Sequence, residues 1–219
     1  MRILVVGAGG VGTAAVAIAA RRAFFEHMVV ADYDPRRVEH ALAQVAGDAR
    51  FSGARVDASD ARDVAELIRE HAITHVLNAV DPRFVMPIFD GCAEADAHYM
   101  DMAMSLSKPH PEQPYALPGL KLGDEQFAKA GEWEAAGRLA LVGLGVEPGL
   151  SDIFARYAAD EIFSEIDEAG VRDGANLVVD GYDFAPSFSI WTTIEECLNP
   201  PVIFEEGRGW FTTPPFSEP

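Results

Sequence analysis

Cysteine is nearly absent: Cys92 and Cys197 are the only two in 219 residues. Two cysteines give no disulfide framework, and a reducing, cytoplasmic compartment fits that scarcity. Long apolar runs are missing as well, and nothing approaches the length of a membrane span. The first apolar strand opens at Arg2, which leaves no room for a signal peptide. Lysine is scarce. Only Lys108, Lys121 and Lys129 contribute to the 17 basic residues, against 35 acidic ones, and the formal net charge is −18. A surface of that sign repels nucleic acid and anionic membranes, and neither is expected as a partner; a small-molecule substrate is. The charge says nothing of fold, and either a salt-rich cytoplasm or a GC-rich genome accounts for it. Metal-ligand spacing is also lacking. The six histidines show no His-x-x-x-His or Cys/His pairing on one element. His71 and His75 are four apart but straddle a helix-to-strand break, so no metal is expected.

What is present is an apolar share of 49%, normal for a globular protein, and a sharply defined amino terminus. Arg2 to Val6 reads as a buried strand. Gly7-Ala8-Gly9-Gly10-Val11-Gly12 follows at once, and Thr13 to Ala20 reads as a close-packed helix. This is G-x-G-x-x-G in the strand–turn–helix context that gives it meaning. Gly7 permits the tight turn, Gly9 leaves the pyrophosphate unobstructed, and Gly12 lets helix lie against strand. The first amides of that helix are unpaired and suit a diphosphate, with Gly10, Val11 and Gly12 expected along the cofactor. A second strand, His27 to Ala31, ends in Asp32, twenty residues after Gly12. A carboxylate there accepts both ribose hydroxyls of an adenosine and repels a 2′-phosphate, which favours NAD. Arg36 and Arg37 lie just beyond it and keep NADP open.

Strands and helices then alternate over about 150 residues, the pattern of a doubly wound parallel α/β sheet, the Rossmann class. Pro35 suits a first helical turn, and Val38, Ala41, Leu42 and Val45 mark one helix face. The third strand is expected at Ala54–Asp57, the fourth at Ile73–Ala79, the fifth at His98–Met102 and the sixth at Leu139–Gly143. Between them, Ser59 or Asp60 caps a helix, and Phe84, Val85, Ile88, Phe89 and Cys92 stripe another, with Cys92 as core. Asp32, Asp57, Asn78 and Asp101 all fall at carboxyl ends of strands, where ligand sits in such sheets. Each also has a plain alternative as a cap or turn residue. Met104 to Gly123 carries four prolines, which excludes helix and central strand. Such a loop is either a lid over the substrate or an inert insertion. Asp124 then caps a helix that contains Phe127, Ala130 and Trp133.

Three further stretches carry a resemblance. Val76-Leu77-Asn78-Ala79-Val80-Asp81-Pro82 leads into a helix, His98-Tyr99-Met100-Asp101 ends a strand, and Gly143-Leu144-Gly145-Val146-Glu147-Pro148-Gly149-Leu150-Ser151-Asp152 opens another helix. With the amino-terminal glycine turn, this ordered set resembles the saccharopine dehydrogenase-like reductases, which include saccharopine reductases and carboxynorspermidine-type dehydrogenases. The likeness runs from Met1 to about Asn199. It implies an NAD(P)-dependent oxidoreductase that acts at a carbon–nitrogen bond, reducing an imine formed from an amine and an aldehyde or 2-oxo acid. It also implies a second α+β domain that contacts substrate and forms a homodimer.

On that basis residues 1–162 form the dinucleotide-binding domain and 163–219 a partial substrate and dimerisation domain. The second would hold a hairpin about Asp173-Gly174, strands near Pro200–Thr213, and a helix that starts at Thr192 or Thr193, each followed three residues later by glutamate. It has too few elements to close a sheet, so the chain reads as a fragment or a short natural relative. Two departures from the family stand out: Phe188 to Thr192 lacks the arginine of a "WSPRG"-like turn, and Glu147 stands where aspartate is usual.

Hydride transfer asks the protein to place two carbons and manage one proton. Asn78 and Ala79 are expected along the nicotinamide ribose, beside Gly7, Gly9, Gly10, Val11, Gly12, Asp32 and Asp57 along the rest of the cofactor. Tyr99, Asp101 and Glu147 are the candidate catalytic residues. Alternation puts Tyr99 and Asp101 on one strand face and His98, read as a satisfied core histidine, on the other. A non-catalytic nucleotide-sensing module is the alternative. A flavin enzyme is disfavoured, because the second strand ends in Asp and no large additional domain follows.

Overall fold

Strand β1 (Arg2–Val6) is buried over its last four residues and sits between two parallel neighbours. The computed structural model describes residues 1–171, 178–183 and 190–217. Six parallel strands form one sheet: β1, β2 (His27–Asp32), β3 (Phe51–Arg55), β4 (His75–Asn78), β5 (His98–Asp101) and β6 (Ala140–Leu141), in the order β3-β2-β1-β4-β5-β6. That is the doubly wound Rossmann order, with the direction of winding reversed beside β1. Alternation along β1 feeds two cores. Ile3 and Val5 join Val16 of α1 (Gly10–Ala19) and Val38 of α2 (Pro35–Ala43) on one face. Leu4 and Val6 join Val64 of α3 (Ala61–Glu70) and Ile88 of α4 (Val85–Glu94) on the other. Such two-sided burial is what lets parallel strands run continuously apolar. Cys92 lies in this core, fully buried.

The carboxyl ends are in register. Val6 pairs with Ala31 and Asn78, and Asn78 pairs with Asp101. Asp32, Asn78 and Asp101 therefore lie along one edge of the sheet.

Several boundaries differ from expectation. β3 occupies 51–55 rather than 54–57, and at Gly53 α2 packs closely on the sheet. A Cβ there would lie 2.6 Å from Val38 Cγ1. β4 and β6 are shorter than expected. Asp60, not Ser59, caps α3, accepting the amide of Arg62. The helix expected after Asp124 is two short ones, α5 (Asp124–Phe127) and α6 (Ala130–Ala135). His98 is half-buried rather than core. Its Nδ1 accepts the amide of Leu139, and its ring lies 4.7 Å from that of His75.

The chain divides into two units: Met1–Ser105 with Glu125–Asp152, and Leu106–Asp124 with Ile153–Pro219. In this partition the proline-rich segment groups with the second unit. In that second unit β7 (Val202–Glu205) and β8 (Gly209–Thr212) form an antiparallel hairpin. The proline-rich segment pairs Lys108 with Leu120 and meets the hairpin, where the Thr212 hydroxyl donates to the carbonyl of Pro114 at 2.8 Å. The segment is thus an ordered loop, without helix or ladder strand. Helix α7 (Leu150–Tyr157) follows the Gly143–Gly149 turn. Helix α8 (Ile190–Leu198) is already under way two residues before Thr192, so both Thr–Glu spacings fall inside it rather than at its start. The Asp173-Gly174 turn and the residues from Phe184 to Ser189 lie outside the described residues, and 166–171 form no strand. Among the described residues no helix is long and apolar enough to cross a membrane, and no group of three or more His, Cys, Asp or Glu side chains is placed to hold a metal.

Candidate functional site

The glycine turn shows three distinct constraints. Gly7 has φ +103°, and a Cβ on it would lie 2.6 Å from Val80 Cγ1, so only glycine fits where β1 passes β4. A Cβ on Gly12 would collide with the carbonyl oxygen of Gly7. Gly9 is different: it has ordinary extended geometry (φ −76°), and nothing lies within 4 Å of where its Cβ would be. The fold needs glycine at 7 and 12, whereas at 9 the absent side chain leaves open space. Gly9 is also the N-cap of α1, with no side-chain cap and no acidic residue in the first turn. Gly10 and Val11 are exposed in that turn, and Gly12 is buried. The positive end of α1 thus faces open space with its donors uncapped, which suits a diphosphate.

A cavity of about 400 Å³ opens next to this turn, with Gly7, Gly9, Asp32, Asp57 and Ala79 in its wall. Asp32 is nearly buried. Its Oδ2 accepts the amide of Ala8 at 2.8 Å and its Oδ1 that of Asp34 at 2.9 Å. Asp57 caps the turn into α3 by accepting both the hydroxyl and the amide of Ser59 on Oδ1, and these bonds hold its carboxyl below the usual range. Tyr33, Arg37, Val56, Ala58, Asp81 and Phe84 also line it, with Val6 and Val80 behind the turn.

The two arginines after Asp32 separate. Arg36 is gripped by Asp34 at 2.8–3.0 Å through two nitrogens, and the same contact lowers the Asp34 carboxyl to about 2. Arg37 lines the cavity, and its charge also reaches the Asp34 carboxyl, without a hydrogen bond to it among those described. Sequence reasoning named Arg37 but passed over Tyr33 and Ala58, whose signal was simple adjacency to Asp32 and Asp57.

The remaining candidates lie elsewhere. Asn78 is buried behind Ala79: its Oδ1 accepts the amide of Val80 and its Nδ2 donates to the Tyr99 hydroxyl at 2.9 Å. Tyr99 in turn donates to Asp101 Oδ2 at 2.9 Å. Tyr99 and Asp101 share a face, as alternation requires, but that face is sealed. Neither lines the cavity. Burial, reinforced by the Asp101 carboxylate, pushes the Tyr99 phenol above its usual range, so at neutral pH it stays protonated and a donor. Glu147 is exposed in the Gly143–Gly149 turn and touches neither the cavity nor the Tyr99–Asp101 pair. The structure therefore brings together Gly7, Gly9, Asp32, Asp57 and Ala79. It sets Asn78, Tyr99 and Asp101 in a separate buried network and leaves Glu147 apart from both.

The chain is 28% identical over 98% of its length to carboxynorspermidine synthase of Vibrio cholerae, and 26% identical over 94% to carboxyaminopropylagmatine dehydrogenase of Synechocystis. It spans about half the length of each, 52% and 49%. The fold is shared with apo saccharopine dehydrogenase (L-Glu forming) from Saccharomyces cerevisiae, at a TM-score of 0.54 and 15% identity over 74% of this chain and 31% of that one. Residues 3–141 match the family described as saccharopine dehydrogenase NADP binding domain, and the chain belongs to that family.

Proposed function

We propose that the chain is the NAD(P)-binding part of an oxidoreductase that transfers hydride at a carbon–nitrogen bond, by imine reduction or secondary-amine oxidation, on an amino-acid or polyamine-like substrate. The observation that carries this is the open space above Gly9, at an uncapped helix terminus beside the buried carboxylate of Asp32. The names of the relatives, a carboxynorspermidine synthase and a carboxyaminopropylagmatine dehydrogenase, support the substrate class.

The residues present fit the group. The amides at the start of α1 would hold the pyrophosphate, Asp32 the adenosine ribose, and Tyr33, Val56 and Ala58 the adenine. The nicotinamide half belongs across the switch point, at the carboxyl ends of β4 to β6. The bound nicotinamide supplies the hydride. The chain's own residues orient the dinucleotide. Tyr99 and Asp101, both buried, act in this proposal by fixing strand ends. Glu147, exposed in the Gly143–Gly149 turn after β6, is the candidate for handling the proton. Arg37, in the cavity wall with Asp32, offers a charge for a 2′-phosphate, so the pocket takes NADP as well as NAD. A homodimer, a cytoplasmic location and a 163–219 substrate region remain parts of the proposal, carried by the family resemblance and the scarcity of cysteine.

The test is turnover by the whole protein. Mixed with NADPH, a primary amine and an aldehyde or 2-oxo acid, it is expected to consume nicotinamide absorbance only when both carbon substrates are present, yielding a secondary amine by mass. Tight binding of NADPH without turnover across such pairs would replace the enzyme with the nucleotide-sensing alternative.

A further inference from the structure

The Asn78–Tyr99–Asp101 network does not stop at Asp101. The Gln126 side-chain amide donates through Nε2 to Asp101 Oδ2 at 2.8 Å, and its Oε1 accepts the amide of Ser105 at 2.8 Å. Asp101 Oδ1 accepts two further amides, Gly143 at 2.8 Å and Met104 at 3.2 Å. Asp101, Ser105 and Gln126 are each at most 3% exposed. One buried carboxylate and one buried amide thus tie the end of β5 to the turn after β6, and to Ser105 and Gln126, which flank the departure and return of residues 106–124. Met104 sits among these bonds at φ +61°. A non-glycine residue holds that conformation only where its surroundings fix it.

We propose that Gln126 is a positioning residue for the nicotinamide half of the cleft. Its amide ties Ser105 to Asp101, and so fixes the turns after β5 and β6 against which the nicotinamide ring rests. This depends on the dinucleotide assignment above. Nothing in the adenosine half involves Gln126: Asp32, Asp57 and Arg37 belong to β2, α2 and the turn into α3, on the far side of β1 in the sheet order. A bond from an amide to a buried carboxylate is among the stronger hydrogen bonds, and its loss leaves buried partners unsatisfied.

The test separates the two halves of the ligand. Binding of NADPH and of 2′-phospho-ADP-ribose, which lacks the nicotinamide ring, is measured for the 219-residue chain and for Gln126→Met, a variant of similar length. The variant is expected to bind 2′-phospho-ADP-ribose within about twofold of the wild type and NADPH about tenfold more weakly. Equal losses for both ligands, or no loss for either, would overturn the proposal. Should Gln126→Met fail to fold, amide hydrogen exchange on the wild type gives the same decision. NADPH is expected to slow exchange at Ser105 and Gly143 more than 2′-phospho-ADP-ribose does, and equal protection by both would overturn it. A wild type that binds neither ligand would overturn the dinucleotide assignment itself.

Discussion

The amide of Ala8 donates to Oδ2 of Asp32 at 2.8 Å, so the acid that ends β2 also holds the glycine turn in place. The carboxylate has two duties, one within the protein and one toward a ribose. Asp32→Ala is expected to lower the stability of the chain by about 2 kcal/mol, the scale of a hydrogen bond to a charged group. It should also reduce dinucleotide affinity at least about tenfold. Chemical denaturation and equilibrium titration read the two effects separately. An unchanged denaturation midpoint would show that the Ala8 contact carries no weight.

The glycines separate fold from function. Gly12→Ala drives a methyl into the Gly7 carbonyl and is expected to lower the melting temperature markedly. Gly9→Ala meets nothing, so it should leave the melting temperature alone while it weakens NADPH binding about tenfold or more. Differential scanning calorimetry with parallel titrations checks both. A Gly9→Ala chain that binds normally would remove the diphosphate from this turn.

Arg36 is hydrogen-bonded to Asp34, whereas Arg37 faces the cavity. Arg37→Ala is expected to weaken NADPH relative to NADH about tenfold, whereas Arg36→Ala, whose guanidinium is occupied by Asp34, leaves the ratio unchanged. Competitive titration with the two cofactors gives the ratio directly.

At the amino ends of β4 and β5, His75 faces the His98 ring, the hydroxyl of Thr74 and the positive amino terminus. Burial first, then the His98 charge and the amino terminus, lowers the His75 imidazole below its ordinary value. The unfolded chain then binds this proton more readily than the folded one, so stability is full above about pH 6.5 and is lost as pH falls through the lowered folded value. His27, lowered by burial and by Arg2 and His71, acts in the same direction. Urea midpoints measured from pH 7.5 to 5 should fall, and His75→Asn should reduce the fall. A midpoint that rises on acidification would contradict this.

Much of the first unit was legible because its signals are local. The glycine turn, Asp32, Pro35 and the stripe ending in Cys92 are all written within one element or its immediate flank. β3 was displaced because Phe51-Ser52-Gly53-Ala54-Arg55 has little of a strand's composition, while the buried Val56 just beyond it does. Gly53 is there for α2, a contact that periodicity does not record. α8 begins ahead of its Thr–Glu spacings because a capping pattern names where a helix is able to start, not where it does. In the site, alternation put Tyr99 and Asp101 on one face but did not reveal that the face is closed. Gln126, which helps close it, lies 25 residues from Asp101 and within no motif.

The most direct measurement is a crystal structure of the chain soaked with NADP(H). It should show the diphosphate over Gly9 against the first turn of α1, with the adenosine ribose on Asp32. A nucleotide bound elsewhere, with the space above Gly9 filled by protein, would contradict the account.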